Sequence, residues 1–437
     1  MAHLTPAQRL AAGLHPPPSI VKPFAATQAG WRFYANPRLK LPQLVQPMLE
    51  CARDALDRGA CEDYALVVLD WCPLHFNGQQ ARKDRVTLAH RQDWGYDLLS
   101  ALLLSDRQGA SIAPLGLELR AADGVHSTRS DRVLEPLSRL DGLTPLINGV
   151  AGVLISMKRA PMKASLKPVY IIDAEADSVG HYRQWQQDGR LLLIRADLNR
   201  RVLEQGKERK LNQILGRMKD KGQLKAAGSV LYKGKMARQF VGETRVVLHR
   251  PGRQHRVIKG KRKRRDIPGP ALPMRLIVSE IRDEKGKVLA KWLLLSNCPD
   301  SVCATTLAQW YYWRWRVESF HKLLKEAGQH IEQWQQETAA ALARRLTLAA
   351  MAAVVVWQLA RDDSPPAHDL RQLLVQLSGR QIKRTREARN FTEPALMAGL
   401  GILLPMLYLL EQYDPADLQR LAQRVFPQLL PETMDSG

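Results

Sequence analysis

Two short apolar runs in the sequence each end on an aspartate. Residues 64–69 read YALVVL and meet Asp70; residues 169–172 read VYII and meet Asp173. An unbroken apolar run of this length suits a strand buried on both faces, and open α/β sheets place their clefts at the carboxyl ends of such strands. Either aspartate alone could simply start a turn or cap a helix. If the two strands are neighbours, their carboxylates can share divalent cations. A third acid, Glu318, lies in the segment YYWRWRVESFHKLLK, residues 311–325. At about 100° per residue, Tyr311, Arg314, Glu318 and Lys325 fall at about 0°, 300°, 340° and 320°, a single helical stripe roughly 60° wide. Charged helical stripes are commonly solvated faces with ion pairs four residues apart. This one sits among Trp313, Trp315, Val317 and Phe320. Three carboxylates, with Arg and Lys beside them to hold phosphates, are the parts that two-metal phosphoryl transfer requires.

The elements that must position these residues can be read from the pattern. Residues 98–104 and 113–119 predict strands beside 64–69, followed by a helix over 137–157. The 169–172 strand is followed by a helix over 179–187 and a strand over 191–194. This order predicts an α/β core. Ahead of it, residues 1–60 read as short helices: one capped by Thr5 and ending before Pro16, Pro17 and Pro18, then 25–34 and 41–56. Beyond it, β-forming residues over 238–248, 274–281 and 288–295 predict a small, largely antiparallel sheet. From Thr305 the chain reads as helical to its end, with a break near 362–366. No internal repeat is visible.

Charge narrows the class of partner. The 437 residues carry 65 Lys and Arg against 43 Asp and Glu, a formal net charge of +22. Such an excess argues for a polyanion, nucleic acid first and an anionic membrane second, while 45% hydrophobic residues exclude a mostly disordered basic tail. Residues 199–266 hold 22 Lys and Arg against 5 acids, so +17 of the total lies there, ending in Lys261, Arg262, Lys263, Arg264 and Arg265. The five cysteines, Cys51, Cys61, Cys72, Cys298 and Cys303, form no CxxC pair, which argues against a disulfide framework or zinc site and for a reducing cytoplasm. The N-terminus has no apolar core of a signal peptide. Residues 346–360 and 394–410 are apolar but fall short of the roughly 20 residues that span a bilayer, which predicts buried core helices and no membrane partner. No GxxxxGK[ST] string is present, so no nucleotide cofactor is expected.

The string Tyr311-x2-Arg314-x3-Glu318-x6-Lys325 resembles the Y-(2)-R-(3)-E-(6)-K signature of the IS-4-like (insertion sequence 4) group of DDE transposases, which are bacterial cut-and-paste enzymes. Neighbouring text is similar too: RWRVE at 314–318, Phe320-His321-Lys322, DAEAD at 173–177, KWLLL at 291–295 and WRFYAN at 31–36. The resemblance covers roughly residues 25–360. It implies a ribonuclease H-like α/β catalytic core, a mixed sheet flanked by helices, interrupted by a β-rich insertion domain, with helical N- and C-terminal regions. The expected divisions are 1–60, 61–198, 199–304, 305–362 and 363–437, the last a candidate for dimerisation. By matching position, Asp70, Asp173 and Glu318 become the catalytic, metal-holding triad for two Mg²⁺ (or Mn²⁺) ions. Tyr311, Arg314, Lys325, Lys322 and Arg195 become DNA contacts, joined by the basic run 261–265, and Trp292 a residue that stacks on a flipped base. The implied partners are double-stranded DNA, as terminal inverted repeats and target, and a second copy of the chain. The implied setting is a bacterial cytoplasm at the nucleoid. The sequence departs from many members at Trp71-Cys72-Pro73-Leu74, after the first aspartate, where small hydroxyl residues are common. A nuclease that cuts without joining, and a basic DNA-binding protein without activity, remain alternatives.

Overall fold

The computed structural model describes residues 23–157, 166–258, 261–326, 329–380 and 391–425. The helix expected after Thr5, and Lys259 just ahead of the basic run 261–265, lie outside them. In chain order, α1 (Pro23–Ala35), α2 (Leu41–Leu44) and α3 (Gln46–Asp57) precede the strands β1 (Tyr64–His75), β2 (Val86–Thr87), β3 (Trp94–Ser105), β4 (Ser111–Ala121) and β5 (Gly124–Ser127). Next come α4 (Arg139–Ser156), β6 (Lys167–Ile172), α5 (Val179–Gln187), β7 (Leu191–Arg195), β8 (Arg201–Glu204), β9 (Lys207–Lys210) and α6 (Leu211–Asp220). The strands β10 (Lys225–Tyr232), β11 (Lys235–Leu248), β12 (Gly252–Ile258), β13 (Lys261–Ile267), β14 (Leu272–Arg282) and β15 (Val288–Ser296) follow. The chain closes with α7 (Ala304–Trp313), α8 (Trp315–Lys325), α9 (Ala339–Arg361), α10 (Pro365–Ser378), α11 (Glu393–Leu410) and α12 (Pro415–Val425).

The chain divides into two compact units. One comprises residues 41–73 and 84–321; the other comprises the chain up to Lys40, residues 74–83 and the chain from Lys322. The first unit is a mixed α/β structure built on a 13-stranded sheet ordered β5-β4-β3-β1-β6-β7-β15-β14-β11-β8-β9, with β2 on β3 and β10 on β11. The three central strands β1, β6 and β7 are parallel, and their residues at 65–69, 169–172 and 192–194 are fully buried, as the apolar runs require. Helix α4 begins at Ser138, whose hydroxyl accepts the Asp141 N–H, and buries Leu143, Leu146, Ile147 and Val150. It reaches β4 at Gly116, where a Cβ would stand 2.7 Å from Leu146 Cδ1. A side chain there would require the Leu146 methyl to move.

Three expectations need correction. First, β1 does not stop at Asp70 but runs on to His75. Its parallel pairing with β6 ends at Leu69↔Ile172, while its other edge lies along the 12-residue β3, which can support the extension. Second, the strands expected as a small separate sheet are antiparallel but continuous with the core, because β15 pairs with β7 (Leu294↔Arg195) and β14 and β11 add to it in turn. Third, the 311–325 segment is not one unbroken helix: α7 and α8 meet at Arg314.

In the second unit α9 is the core, with Ala341, Leu342, Leu346, Ala350, Val354 and Trp357 among its buried residues. Arg344 fastens α1 and the chain after it, donating to the carbonyls of Tyr34 and Leu39, each at 2.8 Å. The buried-helix expectation holds for α9, which at 23 residues is longer than the apolar run alone suggested. It holds only in part for α11, whose Ala395, Leu396, Met397 and Leu400 are buried while Ile402, Met406, Leu407 and Leu410 are exposed. Both helices are long and apolar enough to cross a membrane by length and composition.

Candidate active site

The parallel register of β1 and β6 decides the geometry. Because Leu69 faces Ile172, the next residue along each chain is an aspartate, so Asp70, within β1, and Asp173, just past the end of β6, emerge side by side where the β1–β6 pairing ends. Asp173 then caps a short 3-10 turn (Ala174–Ala176), accepting the Ala174 N–H at 2.6 Å. Glu318 arrives from the first turn of α8, where the helix dipole favours a carboxylate.

These three acids converge on one cation. The guanidinium of Arg314, nearly fully buried, reaches Asp70 Oδ2 at 3.3 Å, Asp173 Oδ2 at 3.5 Å and Glu318 Oε1 at 2.8 Å. It also lies near the rings of Tyr311 and Trp315, at 5.8 and 5.5 Å from their centroids. Arg314 comes to this point because it is the junction residue: its N–H bonds to Tyr311 O and its carbonyl accepts from Val317, each over three residues rather than four. Asp173 is the most heavily engaged acid, receiving Arg195 Nε at 2.6 Å and the Tyr311 hydroxyl at 3.2 Å. Tyr311 is buried, and Trp292 packs on it with ring centroids 5.7 Å apart.

Burial raises the Asp70 carboxyl from its ordinary 3.8 to about 6; Glu318 and Asp173 push the same way and Arg314 opposes them. Burial also raises the Tyr311 phenol, which therefore stays protonated and able to donate. For Arg314, burial disfavours the charge, but the oxygens of Tyr311, Asp173, Asp70 and Glu318 outweigh it and hold the guanidinium firmly protonated.

Of the residues expected from sequence, the structure thus brings together Asp70, Asp173, Glu318, Arg314, Tyr311, Arg195 and, behind Tyr311, Trp292. As placed, Trp292 is a core aromatic rather than an exposed platform for a base. Lys325 and Lys322 lie on the part of α8 that belongs to the other unit, where Lys325 pairs with Glu332 at 2.9 Å and the exposed Lys322 approaches Glu326 at 3.9 Å. Lys261, Arg262, Lys263, Arg264 and Arg265 form most of β13. Several cations counted in the basic segment are structural: buried Glu204 holds Arg217 and Arg209, and buried Glu280 holds Lys219, together with Arg282 from beyond the segment.

Sequence reasoning missed a second cluster. Arg139, in the first turn of α4, pairs with the buried Asp97 at 2.7 Å and approaches Glu175 at 3.6 Å, its guanidinium 5.6 Å from the Trp71 ring. Glu175 was visible as the middle acid of DAEAD, and burial raises its carboxyl. Asp97 and Arg139 carried no such signal, since each is one charged residue in an otherwise ordinary strand or helix.

Among the described residues, no group of three or more His, Cys, Asp or Glu could hold a metal ion as placed. The donor chemistry nevertheless fits a hard divalent cation, because three carboxylates converge within 3.5 Å of one positive centre. The cation standing there is the guanidinium.

Residues 147–355 match the family model described as transposase DDE domain. The match supports a DDE transposase; that family comprises enzymes of the nuclease and transposase kind, and it implies a DNA substrate. The mixed sheet with its helices is consistent with the ribonuclease H-like fold of such domains, which typically use a divalent metal. The matched span contains Asp173 and Glu318 and begins after Asp70, which the β1–β6 register places beside Asp173. No curated protein matches the chain.

Proposed function

We propose that the chain is the transposase of an IS-4-like insertion sequence, which nicks DNA at the element's ends and joins the freed 3′-hydroxyls to target DNA. The observation that carries the reading is the convergence of Asp70, Asp173 and Glu318 on Arg314, within a chain that matches a transposase DDE domain. Asp70, Asp173 and Glu318 would hold two Mg²⁺ (or Mn²⁺) ions, whose chemistry is activation of the attacking oxygen and neutralisation of charge at the leaving one.

The chain's own groups do the rest. Tyr311 and Arg195 orient the Asp173 carboxylate through its Oδ1, and Arg195, 39% exposed, is positioned to reach a DNA phosphate as well. Arg314 keeps the three acids gathered against their mutual repulsion, and it carries a buried Nε–H without a partner among the described residues. In the nick, water adds to phosphorus and the 3′-oxygen leaves as a hydroxyl. In the joining step that hydroxyl attacks a target phosphorus and a target 3′-oxygen leaves, so one phosphodiester replaces another and no nucleotide is consumed. We further propose that the basic 199–304 segment grips DNA, that residues 363–437 support a homodimer holding two ends, and that the protein works at the nucleoid in the cytoplasm.

The test is a Mg²⁺-dependent cleavage and joining assay on DNA carrying the element's terminal repeats, comparing wild type with Glu318→Ala. Metal-dependent 3′ nicking and joining that vanish in the variant, with DNA binding retained, are the expected result. Nicking that persists in the variant overturns the triad. Nicking without joined product makes the protein a nuclease, and binding without nicking makes it a DNA-binding protein.

A further inference from the structure

Two strands stand outside the large sheet. β12 and β13 pair only with each other, through seven residue pairs from Gly252↔Ile267 to Ile258↔Lys261. Their register sets His255 opposite Arg264 and Arg256 opposite Lys263, with Gln254↔Arg265 and Val257↔Arg262 on either side. Residues 253–265 contain eight Lys and Arg and no acid. A lone two-stranded hairpin is marginal in water, and this register sets one like-charge pair, Arg256↔Lys263, against one opposite-charge pair, Arg253↔Asp266, so it gains no net support from paired charges. A ribbon of this composition becomes favourable against a polyanion.

The base of the ribbon is clamped. Arg183 of α5, itself buried, donates from Nε to Pro270 O at 2.8 Å and from Nη2 to Arg250 O at 3.0 Å, so one guanidinium ties the chain entering β12 to the chain leaving β13. Gly180 of the same helix packs on Gly252, where a Cβ would lie 3.0 Å from the Gly180 Cα. Helix α5 begins at Val179, six residues after Asp173. The ribbon is therefore rooted on the helix that follows a catalytic aspartate.

We propose that β12–β13 is a DNA-engaging ribbon that lies in the major groove of the substrate duplex, with Arg183 as the positioning residue that fixes its base. The inference rests on the DNA-acting reading above. Paired strands are about 4.8 Å apart and seven residues extend about 23 Å. The B-form major groove, about 12 Å wide, admits such a ribbon with its side chains, whereas the minor groove, about 6 Å wide, does not.

The test uses the full chain and a mixed-sequence 30-base-pair duplex loaded with methyl green, which occupies the major groove, or netropsin, which occupies the minor. Wild type should displace methyl green and leave netropsin. Combined Arg256→Gln, Lys263→Gln and Arg264→Gln should remove that displacement and lower the salt slope of binding by about 2–3, at about 0.9 per phosphate contact. Its melting temperature should be no lower than wild type, since the one like-charge pair, Arg256↔Lys263, is removed. Arg183→Gln should weaken binding several-fold in the wild-type ribbon and have no further effect in the triple variant, a non-additivity that a merely structural arginine does not produce. An unchanged slope, netropsin displaced in place of methyl green, additive effects, or a destabilised triple variant each overturns the ribbon assignment. Wild type that binds no duplex at low salt overturns instead the DNA reading on which it rests.

Discussion

Asp70→Asn should make the protein more stable while abolishing its chemistry, and the size of the gain can be worked from the site. Burial holds the Asp70 carboxyl at about 6 rather than 3.8, with Glu318 and Asp173 adding to it and Arg314 opposing. The native state thus binds this proton more tightly than the unfolded chain does. Stability from this group is full below about 3.8, falls as pH rises towards about 6, and the whole penalty stands above that. At about 1.4 kcal/mol per pH unit, the interval corresponds to about 3 kcal/mol. The side chain is 16% exposed, so solvent screening discounts this figure only modestly. Asparagine keeps the shape and an acceptor for Arg314 but carries no charge to desolvate.

The expected outcome is a gain of up to about 3 kcal/mol at pH 8, shrinking to almost nothing near pH 4. Domains of 150–250 residues shift by roughly 2–4 °C per kcal/mol, so melting should rise by several degrees at pH 8. Calorimetry on both proteins at pH 4, 6 and 8, with chelator present, measures it. A variant less stable than wild type at pH 8 would refute the reasoning, because the Arg314 attraction would then outweigh burial. A gain that does not change with pH would refute it differently, since ionisation would not be the cause.

Other consequences follow from single positions. Hydrogen bonds with the Thr305 and Thr306 hydroxyls lower the exposed Cys303 thiol to about 7, while burial pushes Cys61 up to about 12 and Cys298 up to about 11. Iodoacetamide at pH 7 should therefore label Cys303 well before those two, read by mass spectrometry; equal labelling would contradict the assignment. Gly399→Ala should loosen the α10–α11 packing, because its Cβ would collide with the Leu374 backbone carbonyl, which a rotamer change cannot relieve. A loss of about 1–3 kcal/mol in thermal or denaturant unfolding is expected, against an intrinsic helical gain of about 1; a net gain would show that the two helices move apart freely.

Most of the part of the chain that carries the candidate site was legible because its signals are local. Apolar runs at 64–69 and 169–172 suit doubly buried strands, and the aspartate directly after each marks where the pairing of β1 with β6 ends, although β1 itself runs on to His75. The helices expected over 137–157 and 179–187 correspond to α4 and α5, while the Ser138 cap of α4 is seen only in the structure. What was not legible depends on pairing between distant segments. Nothing in 288–295 says that its partner on one side is β7, so a continuous sheet looked like a separate one. The extension of β1 past Asp70 has no signal in its own WCPLH text, which is not the unbroken apolar run that marks residues 64–69. Arg183 and Arg139 are single cations whose partners lie 67–87 and 36–42 residues away in the chain.

Arg314 shows the same division within one motif. Its spacing to Tyr311 and Glu318 was visible, and on an unbroken helix it would lie along an outward stripe with Lys325. The junction between α7 and α8 changes this: Tyr311 stays on one helix, Glu318 starts the next, and the residue between them turns its guanidinium onto three carboxylates at once. Three acids gathered this closely repel one another unless something positive stands among them, and burial sharpens that demand. An arginine four residues before the glutamate meets it from within the same segment that delivers the third acid. The fixed spacing therefore reflects more than a row of phosphate contacts: it ties the arrival of Glu318 to the arrival of the charge that makes its position beside Asp70 and Asp173 tenable.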